Sequence, residues 1–137
     1  AFDFVVSPQA PPKENERDAA DFIIYIVVHD EKQRPVFLLE VKEDTYRDIP
    51  SGRQAADSQM RGRYNNLLYT CPIPILYGLN ALGTDIRTYV GDVSNGDVMP
   101  PLVYTNPARV VARDYLKNEW DLDILSDEGF NKTKEIV

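Results

Sequence analysis

Glu40 and Lys42 stand two residues apart at the end of the apolar run Pro35-Val36-Phe37-Leu38-Leu39, and Asp21 directly precedes a second apolar run, Phe22 to Val28. Residues two apart on a strand point to the same face, so Glu40 and Lys42 share a face with Val36 and Leu38. Both runs are β-branched and aromatic without alternation, the pattern of strands buried on both sides. The polar segment His29-Asp30-Glu31-Lys32-Gln33-Arg34 between them reads as the turn of an antiparallel hairpin. In such a hairpin the start of the first strand lies beside the end of the second, which brings Asp21 to Glu40-Val41-Lys42. Two adjacent carboxylates repel unless a cation sits between them, and hard oxygen ligands suit Mg²⁺ or Mn²⁺. Sharing one ion requires the two carboxyl groups to lie roughly 3 to 6 Å apart. A lysine beside the ion can orient a water or stabilise negative charge at a phosphate, which makes the trio a minimal kit for metal-assisted phosphodiester hydrolysis. The same residue types also suit a salt bridge where a strand emerges into solvent, with Asp21 an ordinary strand-start residue.

The elements that must position these groups follow from periodicity. Phe2 to Val6 reads as a short strand and residues 7 to 20 as a Pro-bearing loop. From Ser51, expected as an N-cap, to Tyr69 the pattern is helical, with Ala56, Met60, Tyr64 and Leu67 or Leu68 forming one apolar stripe. Met60 and Tyr64 read as core. Ile73 to Leu79 and Ile86 to Val90 read as a second hairpin turning at Ala81-Leu82-Gly83-Thr84, residues 91 to 107 as loop, and Ala108 to Trp120 as a helix with Val110, Val111, Tyr115 and Leu116 inward. Trp120 reads as a docking anchor, and the residues after it carry weak signals. The result is one mixed α/β domain over residues 1–137.

Composition narrows the chemistry. The chain has 137 residues, 43% hydrophobic and 27% charged, the balance of a folded domain. Its net charge of -7 argues against nucleic-acid binding held by overall charge, though not against a local basic groove. One cysteine, Cys71, and one histidine, His29, exclude an internal disulfide and the zinc sites built on several such ligands. Cys71 reads as a small buried hydrophobe and His29 as an exposed turn residue. No phosphate-binding Gly-rich loop is present, and no apolar run is long enough to cross a bilayer. The start, Ala1-Phe2-Asp3, suggests a mature chain or an excised domain, and the cysteine usage an intracellular (cytoplasmic or nuclear) setting.

Ala20-Asp21-Phe22-Ile23-Ile24-Tyr25, a polar turn, and a strand ending Glu40-Val41-Lys42 together resemble the core of the PD-(D/E)xK nuclease superfamily. The resemblance spans roughly residues 20 to 90, through the helix and the second hairpin. Ala20 stands where the motif has Pro, Gln59 precedes Tyr64 by five residues, and only Glu14 and Glu16 are available for the acidic position upstream. The resemblance implies a restriction-endonuclease-like fold, a mixed central β-sheet flanked by helices, and a Mg²⁺- or Mn²⁺-dependent endonuclease acting on DNA or RNA. It places metal ligands at Asp21, Glu40 and the Val41 carbonyl, the catalytic lysine at Lys42, and the accessory helical residue at Gln59, with Gln54 as the alternative. Because the family's helix lies beside the substrate, Arg53, Arg61 and Arg63 become candidate phosphate contacts. The other reading is a non-catalytic module of this fold that binds nucleic acid or a protein.

Overall fold

The computed structural model describes residues 5–8 and 24–136, so Asp21, Glu14 and Glu16 lie outside the described residues. The elements in chain order are β1 (Val5–Pro8), β2 (Ile24–His29), β3 (Pro35–Lys42), α1 (Thr45–Asp48), α2 (Pro50–Leu67), β4 (Ile75–Leu82), β5 (Asp85–Asp92), β6 (Val98–Met99), β7 (Leu122–Asp123) and α3 (Asp127–Ile136). The fold is mixed α/β. Its sheet runs β1-β2-β3-β4-β5-β6, with β7 also pairing to β5. β2 and β3 form the expected antiparallel hairpin, with Ile24 opposite Val41 and Tyr25 opposite Glu40. β4 instead lies parallel to β3, with Glu40 beside Asn80. A parallel pair needs a crossover connection, and α1 and α2 supply it.

The helix stripe found in the sequence is the face α2 lays on the sheet: Ala56, Met60 and Tyr64 are fully buried, and Met60 and Tyr64 pack with Val27, Leu38, Leu76 and Tyr89. Two glycines set the closeness of that approach. A Cβ at Gly78 would stand 2.6 Å from the Tyr64 hydroxyl, and one at Gly91 would stand 2.6 Å from the Tyr64 ring. The Tyr64 hydroxyl meets its polar requirement by donating to the Leu76 carbonyl at 2.9 Å. On the other face, Leu79, Ala81 and Ile86 pack with Phe37, Leu39, Val41, Leu122, Ile124 and Ile136.

Several boundaries differ from expectation. α2 begins at Pro50 with Ile49 at the cap position, not Ser51. Proline has no N–H to satisfy and is preset for the first helical turn, so the cap lies two residues earlier. β4 continues through Ala81 and Leu82 because both are buried, and the turn shrinks to Gly83-Thr84, with Gly83 at a φ of 64°. The helix expected over Ala108–Trp120 does not form. The stretch is a series of turns, Leu116 and Asn118 adopt positive φ, and Val110 is exposed. The reason is visible on α2: the buried Arg53 guanidinium donates to the carbonyls of Arg113 and Tyr115 at 2.8 Å each, acceptors that a helix would have used internally. Tyr115, Leu116 and Trp120 are nevertheless buried, against Ala56 and Leu82. The weakly patterned end contains β7 and the ten-residue α3. Among the described residues no helix is long and apolar enough to cross a membrane.

Candidate active site

Glu40 and Lys42 end β3 on the face covered by α2, and both side chains are fully buried. They do not emerge into solvent, so the simple surface salt bridge is not what the strand end contains. The Lys42 ammonium stands 3.6 Å from Glu40 Oε1, donates a hydrogen bond to Gln59 Oε1, and lies 4.9 Å from the centre of the Tyr46 ring. Arg63 Nε stands 3.7 Å from Glu40 Oε2. Gln59 and Arg63 are four apart on α2 and therefore sit one above the other, which is how one helix brings both to the strand end. Tyr46 had no sequence signal for this position; its place follows from the chain reversal at α1.

The arginines separate into three environments. Arg63 is partly exposed and meets Glu40. Arg61 is tied to Asp57 Oδ2 at 2.9 Å and to the Pro100 carbonyl at 2.6 Å. Arg53 adds the Arg47 carbonyl, at 2.6 Å, to its two other carbonyl bonds. Arg53, buried with its guanidinium spent on backbone acceptors, is a clamp and leaves the set of candidate phosphate contacts. Gln54, the alternative accessory residue, donates to Thr105 and is not at the site. His29 lies at the opposite end of the β2–β3 hairpin, paired with Pro35. Cys71 is buried as expected.

Sequence reading missed a second polar cluster under α2. Asp57 Oδ1 accepts from Arg87 at 2.7 Å and from the Tyr89 hydroxyl at 2.8 Å, while Arg87 lies between the Tyr89 and Trp120 rings. Burial and the adjacent Asp57 carboxylate push the Tyr89 phenol well above its ordinary range, so it remains a donor. Asp57 lies three residues before Met60 and Arg87 two before Tyr89, positions on the inward faces of their elements, and that spacing was the available signal.

Burial pushes the Glu40 carboxyl up, against the opposing charges of Lys42 and Arg63. Neither Glu40 oxygen has a hydrogen-bond partner. The buried Glu40 carboxylate, with Lys42 facing one oxygen and Arg63 the other, and the Val41 carbonyl are hard oxygen donors of the type that Mg²⁺ or Mn²⁺ takes. Among the described residues no cluster of three or more His, Cys, Asp or Glu could hold a metal ion. Asp21, the other carboxylate assigned from sequence, lies outside the described residues.

The raised Glu40 carboxyl has a pH signature. An unfolded chain releases this proton near the ordinary value of 4.5, whereas the fold retains it to higher pH. Between those two points the folded state binds the extra proton, so stability falls as pH rises. Wild type melted beside Glu40→Gln over a range of about pH 4 to 8 should lose stability relative to the variant above the ordinary carboxylate value. Parallel curves would show that Glu40 titrates as an ordinary glutamate.

Compared with protein-family models, curated proteins and solved structures, the chain matches none.

Proposed function

We propose that this chain is a divalent-metal-dependent phosphodiester hydrolase of restriction-endonuclease-like type, acting on DNA or RNA. The observation that carries the reading is the buried Glu40–Lys42 pair at the end of a central strand, with the Lys42 ammonium held by Gln59. A lysine fully removed from solvent, yet kept beside a carboxylate by a helical glutamine, has a fixed direction and is suited to placing a water or meeting developing negative charge. Glu40, the Val41 carbonyl and Asp21 would hold the ion, which supplies Lewis acidity toward the phosphate oxygen and the attacking water. Gln59 holds Lys42 in position, and the partly exposed Arg63 guanidinium can reach a phosphate oxygen while remaining beside Glu40.

A specific observation favours the binding-module reading: Lys42 and Arg63 already compensate the Glu40 charge, in a chain of net charge -7. The two readings separate on metal response. For the hydrolase, Mn²⁺ at a hundred times its dissociation constant should stabilise the wild type by about 2.7 kcal/mol. Asp21→Asn or Glu40→Gln should remove most of that gain, and plasmid DNA or single-stranded RNA should be cut only with metal. A protein that retains the strands uncut and melts at the same temperature with and without Mn²⁺ is the binding module.

A further inference from the structure

The paired strands carry a polar row across the covered face. Glu40 of β3 lies beside Asn80 of β4, and Asn80 lies opposite Arg87 of β5, so the three side chains rise in line from one side of the sheet. All three are buried, Asn80 and Glu40 completely. Each holds a polar atom without a hydrogen-bond partner: both Glu40 oxygens, Asn80 Nδ2 and Arg87 Nε. Lys42 and Arg63 face the Glu40 oxygens only at 3.6 and 3.7 Å, and acceptors and donors left without hydrogen bonds on neighbouring residues in a closed space are costly unless they are used.

The orientation of the Asn80 amide is chemically determined. Trp120 Nε1 donates to Asn80 Oδ1 at 3.0 Å. An indole N–H is only a donor, so a flipped amide would set N–H against N–H. Trp120 also lies against Arg87, its ring 5.4 Å from the guanidinium carbon. With the amide oxygen turned to that side, the amino group is the end left for Glu40.

We propose that Asn80 is a positioning residue for the Glu40 carboxylate. Its Nδ2 group donates through one water to one Glu40 oxygen and leaves the other oxygen directed to a divalent cation, while Trp120 locks the amide in that sense. The cation part rests on the proposed metal role of Glu40; the Asn80–Glu40 link does not. Groups that orient a metal's ligand in this way change affinity by about ten- to a hundredfold when removed.

The test uses isothermal titration of the whole chain with Mn²⁺ and the side-chain amide resonance of Asn80 in the metal-free protein. Asn80→Leu should weaken Mn²⁺ binding by about ten- to a hundredfold. Trp120→Phe, which keeps a ring and frees the amide, should weaken it less. Glu40→Gln should shift the Asn80 amide resonance without any metal. Unchanged Mn²⁺ affinity in Asn80→Leu overturns the positioning role, and an Asn80 resonance that ignores Glu40→Gln overturns the link itself. A wild type that binds no Mn²⁺ overturns the metal reading, and the resonance then decides the Asn80–Glu40 link alone.

Discussion

Lys42→Ala is expected, on the proposed hydrolase function, to reduce metal-dependent cleavage by about a hundredfold or more, equivalent to roughly 3 kcal/mol of transition-state stabilisation. The ammonium is 3.6 Å from Glu40 and is held by Gln59, so its charge has a fixed direction. A group that acts on the attacking water or on charge developing at the phosphate lowers the barrier without strengthening ground-state binding. Metal affinity should therefore hold or rise slightly as a competing cation is lost. The substitution also leaves the buried Glu40 with Arg63 as its remaining counter-charge among the described residues. Removing one partner of a buried pair costs about 3–5 kcal/mol, so rates must be compared below the variant's melting temperature, with Lys42→Met as a companion that refills the space. Equal cutting by wild type and both variants would reduce Lys42 to a buried counter-ion of Glu40.

Asp57→Ala should have a large effect on stability, for a reason unrelated to chemistry. Its carboxylate accepts from Arg87 and Tyr89 and pairs with Arg61, and both Asp57 and Arg87 are shielded from solvent. Truncation removes the acceptor of the Tyr89 phenol and leaves the buried Arg87 guanidinium with the half-exposed Glu119 carboxylate at 3.8 Å as its counter-charge. The loss expected on breaking a buried ion pair is about 3–5 kcal/mol, which for a chain of this length lowers the melting temperature by roughly 10 °C or more. Metal-dependent cleavage measured at low temperature should persist, because Asp57 is not among the groups at Glu40. A loss under about 1 kcal/mol would mean that water or a rearranged side chain satisfies Arg87.

The cluster around Asp57 explains why the three arginines of α2 could not be sorted in advance. On the sequence they share a helix opposed by a single acid. In the structure Arg53 anchors the 113–115 backbone, Arg61 completes the buried network, and Arg63 reaches Glu40. Periodicity assigned Ala56, Met60 and Tyr64 to the inward face correctly, because apolar residues declare their own preference. A charged residue at the edge of that stripe does not, since its burial depends on acceptors contributed by distant segments. The same dependence undid the helix expected over 108–120, where a local apolar pattern competed with carbonyl bonds to Arg53.

By itself the sequence determined the β2–β3 hairpin, the α2 helix and the shared face of Glu40 and Lys42, because each follows from strand alternation, helical spacing or turn residues within a short stretch. Only the tertiary structure decided that β4 runs parallel beside β3, that Gln59 holds the Lys42 ammonium, and that Asn80 and Arg87 extend the polar row begun by Glu40. Those relations depend on strand register and on how closely α2 can approach Gly78 and Gly91. Register and approach distance are set by the packing of the whole domain, so no local pattern encodes them.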